Sequence, residues 1–306
     1  MKNPVDIREL DVIYLTYDEP QREEFWLKIV NAIPWAKRVD GVYGSDAAHK
    51  AAANASETER FVLIDGDNLP DFEFFDQTLE LDDNNKNVQF RWRARNHING
   101  LLYGNGGLSC WTKEHVLNMR SHENSDGSAA TVVEFCFDNN YWPMYDCYST
   151  TYPNHSAKQA FRAGFREGVK MCLREGKRPS KDNFSDWVWQ SNKRNLIIWQ
   201  TVGRDVKNGF YSILGARLGT HYLMLREWDY VGVRDFNELD RLWELHKNDD
   251  SQVCKQLGAE LKVNLSLDIV ELEPEASRFI KETYANDRKN LGVMVRENLA
   301  LLNRKN

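Results

Sequence analysis

Two observations predict an α/β fold for this chain of 306 residues, with a mixed, mostly parallel sheet flanked by helices and a helical C-terminal region. Strand and helix signals alternate over the first 110 residues, the pattern that places helices on the faces of a sheet. Beyond Asn154 the apolar spacing turns helical and stays so. The boundary therefore falls near residue 155, with an α/β core over 1–155 and a mainly helical region over 156–306.

Val12-Ile13-Tyr14-Leu15 reads as the first strand, and Thr16-Tyr17-Asp18-Glu19-Pro20 as the turn that follows. Gln21 to Ala32 puts Phe25, Ile29 and Ala32 on one helical face, and Pro34 ends it. Lys37 to Tyr43 is a short second strand. Asp46 then caps an alanine-rich helix running to about Ser56, with His49 and Lys50 in its early turns. Phe61-Val62-Leu63-Ile64-Asp65-Gly66-Asp67 follows directly, four large apolar residues suited to a strand covered on both faces. It ends in two acids separated by a glycine, which lets the chain turn so that both carboxylates face one point. Such an oxygen-rich corner suits a hard divalent cation, although Asp-Gly before Asn68 and Pro70 also fits a simple Asx-type turn.

Val88 to Arg95 alternates apolar residues with Arg91, Arg93 and Arg95, as a strand does. Gly104-Asn105-Gly106-Gly107 permits a close backbone approach, yet it lacks the Gly-Lys-Ser/Thr ending of a phosphate-binding P-loop. Residues 121–130 form a polar loop, and Val132 to Phe137 is a strand carrying Glu134. Further on, Lys158, Arg162, Arg166, Lys170, Arg174 and Arg178 recur every fourth residue, a basic stripe on a helix. Between Lys158 and Lys181 eight cations face only Glu167 and Glu175, in a chain of net charge −6. Solvation is the usual fate of such a stripe, and phosphate contact is the alternative. Phe236 to Leu245 and Glu275 to Leu302 are also periodic, completing the helical region.

Composition narrows the class. Hydrophobic residues make up 42% and charged ones 28%, which is globular, and no apolar run approaches a membrane span. The five cysteines are odd in number and lack zinc-site spacing, so they read as reduced thiols, and no signal peptide precedes them. A soluble cytoplasmic protein is expected.

The order of these motifs over residues 11–138 resembles that of the GT-A glycosyltransferases, whose core is a Rossmann-like mixed sheet. The resemblance implies that Asp65-Gly66-Asp67 holds Mn²⁺ or Mg²⁺ on the diphosphate of a nucleotide sugar. It implies that Thr16, Tyr17 and Asp18 meet the nucleoside, and that Gly106 and Gly107 lie beneath the donor sugar. His49 or Lys50 would reach the donor, and His155 or His221 would complete the metal ligands. Glu134 stands where many of these enzymes place a general base, with Asp138 and Asp126 as rivals; a retaining enzyme would need none. Tyr152-Pro153-Asn154 and the segment from Gln159 to Lys170 resemble glycosyltransferases of tailed bacteriophages that decorate 5-hydroxymethylcytosine in DNA. A hexosyl or pentosyl donor such as UDP-glucose or UDP-arabinose is implied, with Arg93, Arg162, Arg166 and Lys170 contacting the DNA acceptor. A small-molecule or glycan acceptor, and a nucleotide-binding protein without catalysis, are the alternatives.

Overall fold

The computed structural model of the chain describes residues 3–103, 107–120 and 141–286. A mixed sheet forms the centre of the N-terminal half. Its strands are β2 (Asp11–Thr16), β3 (Lys37–Asp40), β4 (Arg60–Asp65), β5 (Asn68–Pro70), β7 (Gln89–Asn96), β9 (Leu108–Thr112) and β10 (Tyr141–Thr151), in the spatial order β3-β2-β4-β9-β7-β10-β5. β8 (Leu102–Tyr103) pairs with β7, while β1 (Asn3–Asp6) and β6 (Thr78–Leu81) form a separate ribbon.

The expectation of a mostly parallel sheet needs correction. β3, β2 and β4 run parallel, as do β7 and β10, but β9 is antiparallel to both its neighbours and β5 is antiparallel to β10. The reason is local. β9 follows β7 and β8 with no crossover helix between them, and a short connection can only return the chain in the opposite direction. The three parallel strands meanwhile alternate with α1 (Arg22–Ala32) and α2 (Ser45–Ala55), each long enough to carry the chain back across a face.

Side chains of β4 alternate between two cores. Phe61 and Leu63 join α2 and α3 (Lys113–Asn118), whereas Val62 and Ile64 join α1 and the aromatic cluster of Phe74, Phe75 and Trp92. A strand covered on both faces requires this unbroken apolar run. Two boundaries differ from the sequence reading. The second strand stops at Asp40 because Gly41 takes φ +73°, and α2 starts two residues early with Gly44, not Asp46, at its cap. Asp46 instead pairs with Lys50, 2.7 Å away on the next turn.

The helical half begins with α4 (Ala157–Lys170) and continues through α5 (Phe184–Trp187), α6 (Gln190–Trp199), α7 (Gly209–Leu225), α8 (Phe236–His246), α9 (Ser251–Leu265) and α10 (Pro274–Asn286). α7 is buried over most of its length, and α4 lies against it. Glycines make this contact possible. An added Cβ at Gly164 or Gly168 would run into the backbone of Ser212 or Ala216, and one at Gly215 or Gly219 into that of Phe161 or Phe165. Arg217, 1% exposed, ties α7 to its neighbours by donating to the carbonyls of Gln200 and Cys254 and to the Glu271 carboxylate. Ile98 and Leu101 pack on Ile198, Trp199 and Ala216, so the loop after β7 joins the sheet to the helices. The described cysteines, Cys110, Cys147, Cys172 and Cys254, are free thiols, and no helix among the described residues is long and apolar enough to cross a membrane.

Candidate active site

The carboxyl ends of β2, β3 and β4 lie side by side, the edge at which open α/β sheets most often bind ligands. Three acids gather there. Asp65 closes β4, Asp67 follows one residue later, and Glu19 reaches in from the turn after β2. The Glu19 carboxylate accepts from the Tyr17 backbone N–H at 2.8 Å and packs over Gly66, where a Cβ would stand 2.6 Å from its carboxyl carbon. A side chain between the two aspartates would displace the Glu19 carboxylate from this corner.

The backbone fixes this corner from several directions. Tyr14, buried on β2, donates its hydroxyl to the Gly66 carbonyl at 2.8 Å. The Asp65 N–H donates to the Gly107 carbonyl at 2.8 Å, and the Tyr152 N–H to the Asp67 carbonyl at 2.7 Å. Gly107 takes φ +73°, and a Cβ on it would stand 2.9 Å from the Asp65 side chain. Its glycine therefore serves both the turn and the space beside the acid.

Electrostatics mark the cluster as strained toward neutrality. Burial, then the charges of Asp67 and Glu19, push the Asp65 carboxyl up to about 7, while Arg91 acts in the opposite direction. Asp67 and Glu19 are raised for the same first reason, burial. The Thr151 hydroxyl, Arg166 and His155 partly offset that cost at Asp67. None of the three acids has a described Lys, Arg or His within ion-pairing distance of 4.0 Å. Among the described residues no group of three or more His, Cys, Asp or Glu could hold a metal ion by itself. Two oxygen-bearing aspartates without a full protein cage nevertheless fit Mg²⁺ or Mn²⁺, ions that keep several waters and take substrate phosphates as ligands.

Other candidates from the sequence fall in different places. Thr16 donates to Asp40 at 2.6 Å and accepts from Arg38, which also grips Glu23 with two bonds. Tyr17 is exposed and meets exposed Tyr43 edge-on at 6.3 Å, two rings at the mouth of the parallel strands; Asp18 is exposed beside them. His49 bonds the Ser45 carbonyl of its own helix, and Lys50 is taken by Asp46, so the structure turns both back onto α2. His155 stands close enough to Asp67 to act on it, whereas His221 lies on α7 with Glu260 2.8 Å away and takes no part.

The basic stripe does not form one face. α4 stops at Lys170, and Arg174 to Lys177 is a tight hairpin. Lys158 and Arg162 share Asp240, and Lys170 pairs with Glu167 at 3.0 Å, so the positions assigned to phosphate contact at Arg162 and Lys170 are engaged within the protein. Arg166 differs, since its charge acts on Asp67. Arg93 lies 5.0 Å over the Tyr145 ring on neighbouring β10. Glu134, Asp138, Asp126 and Gly106 lie outside the described residues. Sequence reasoning did not place Glu19, Arg91 or Thr151 at this site. Glu19 carried a visible signal, an acid in the turn after the first strand, but Arg91 and Thr151 enter only through strand pairing.

Comparison with known proteins finds no family model, no curated protein and no solved structure that matches the chain.

Proposed function

We propose that the chain is a metal-dependent glycosyltransferase of GT-A type that moves a sugar from a UDP-sugar to a hydroxymethyl group of cytosine in DNA. The observation that carries this reading is the meeting of Asp65, Asp67 and Glu19 at the carboxyl ends of parallel strands, with Arg166 and His155 acting on Asp67. Acids held this way lose solvation and repel one another, so a bound cation with a diphosphate would relieve a cost already present in the fold.

Asp65 and Asp67 would hold Mn²⁺ or Mg²⁺. When bound, that ion would act as a Lewis acid toward the charge that develops on a departing diphosphate. The chain's own residues supply the remaining work. Arg166 adds fixed positive charge beside Asp67, the backbone at Gly107 leaves room against Asp65, and Tyr17 with Tyr43 offers aromatic faces for a nucleobase. Arg93 on its Tyr145 ring stands on the β7 and β10 side of the same sheet, where an acceptor would approach. Glu134 is the assigned base for the acceptor hydroxyl.

A donor screen tests the reading. UDP release from UDP-glucose or UDP-arabinose is followed with Mn²⁺, using plain and hydroxymethylated DNA as acceptors. Release that rises with hydroxymethylated DNA and disappears with chelator is expected. Release that is unaffected by chelator would overturn the metal role, and failure of every UDP-sugar to be bound or hydrolysed would overturn the function.

A further inference from the structure

A run of positive charge without ion-pair partners among the described residues follows directly after α4. Arg174, Lys177, Arg178, Lys181, Lys193 and Arg194 make no ion pair with a described carboxylate, in contrast to Lys158, Arg162 and Lys170. Arg178 and Lys193 are steadied by the carbonyls of Leu223 and Ser185. Across residues 171–194 these six cations face only Glu175, Asp182 and Asp186. A local excess of positive charge stands out on an acidic chain.

Two tryptophans interrupt this charge. Trp187 is 38% exposed and Trp189 54% exposed, although large rings of this kind are ordinarily well covered. Neighbouring Phe184 and Val188 are buried and anchor the segment, so the outward turn of the tryptophans is fixed by the packing of the residues between them. The Arg174 guanidinium lies 4.5 Å from the Trp189 ring centre and 5.6 Å from that of Trp187. It is itself held by the hairpin at Glu175 and Gly176, both at positive φ, in which Arg174 and Lys177 exchange two backbone hydrogen bonds. Arg178 and Lys181 continue into an open groove of about 590 Å³ that Arg226 also lines, with Glu227 and the His221-bonded Glu260 as its carboxylates.

We infer that Arg174, Trp187 and Trp189, with the cations around them, form a binding platform for single-stranded nucleic acid. Aromatic faces stack on unpaired bases, whose faces are all alike in this respect, and Lys or Arg beside them meet the phosphates. A carbohydrate would use the rings but not the cations, and an acidic peptide the cations but not flat stacking; the combination favours a strand with both bases and phosphates. Binding here does not depend on the transferase reading, since the platform takes no residue from the carboxylate site.

The test is fluorescence anisotropy of a labelled 15-nucleotide single strand of mixed sequence against the full chain over a range of KCl concentrations. Trp187→Ala and Trp189→Ala are each expected to weaken binding about tenfold, with Phe at either position restoring most of it. Lys177→Ala with Lys181→Ala should flatten the slope of log affinity against log salt by about 1.4. Unaltered thermal stability and circular dichroism in these variants would confirm that they fold. The inference is overturned if the wild type does not bind the strand, if the Trp variants and their Phe counterparts bind as well as wild type, or if polyglutamate competes as strongly as DNA. A wild type that binds the strand but no UDP would count against the transferase reading alone.

Discussion

Replacing Asp65 by Asn should make the metal-free protein more stable, because the amide keeps the shape of the acid without its charge. In the fold its carboxyl is pushed up to about 7 from an ordinary 3.8, chiefly by burial and then by Asp67 and Glu19. A rise of about three units is worth about 4 kcal/mol against the ionised form at about 1.36 kcal/mol per unit, and the partial opening of the side chain to solvent makes about 2 kcal/mol the working figure. The sign follows from proton counting. Between about pH 4 and pH 7 the folded state holds more protons at this site than the unfolded one, so stability falls as pH rises through that window and is level above it. The amide escapes this loss. In chelator at pH 8, Asp65→Asn should melt about 4 °C above wild type at roughly 2 °C per kcal/mol, and the gap should close toward pH 4. Added Mn²⁺ should reverse the order, raising the wild type by up to about 3 kcal/mol at a hundredfold excess over its dissociation constant and leaving the variant unmoved. Scanning fluorimetry over pH, with chelator and with MnCl₂, reads both effects. A variant that melts below wild type at pH 8, or one that responds to Mn²⁺ equally, would refute the account of a strained cation site.

Three further outcomes are expected. Gly168→Ala forces a methyl into the Ala216 backbone, so α4 and α7 must separate, at a cost of about 1–3 kcal/mol seen as a lower midpoint in urea. Glu134→Gln should lower turnover by roughly a hundredfold while donor affinity holds, and an unchanged rate would move the base to Asp138 or Asp126 or indicate a retaining reaction. Burial pushes the Cys110 thiol up to about 11 and the Cys172 thiol up to about 12, so neither should react with a thiol reagent at pH 8 until the protein is unfolded; rapid labelling of either in the native state would contradict that burial.

The strands and helices of the N-terminal half were legible because their signals are local. Phe61 to Ile64 reads as a doubly covered strand whatever surrounds it, and Asp65 and Asp67 gain their proximity from a single glycine. What could not be read was anything that depends on which strands meet. The reversed direction of β9, and with it the placing of Gly107 and Arg91 beside Asp65, follows from pairing between residues far apart in the chain. The basic stripe misled for a related reason. A four-residue spacing is equally compatible with a helix and with a helix that ends, and it is silent on Asp240, which lies 78 residues after Arg162 and neutralises it. Exposed Trp187 and Trp189 were hidden by composition, since tryptophan is normally a core residue.

The glycine seam between α4 and α7 has a hereditary consequence. Gly164 and Gly168 on one helix and Gly215 and Gly219 on the other each face backbone, so a side chain at any of these four positions would move one helix away from the other. Descent with modification is then nearly closed at these four sites, because each new Cβ would meet backbone atoms that no second substitution can remove. The exposed residues of the segment after α4, Trp187 and Trp189 among them, meet no backbone in this way and can vary, while Phe184 and Val188 stay fixed in the core. Descendants of this chain would therefore keep the seam and diversify the surface it holds out, and a search for distant kin should begin from the spacing of four glycines on two helices.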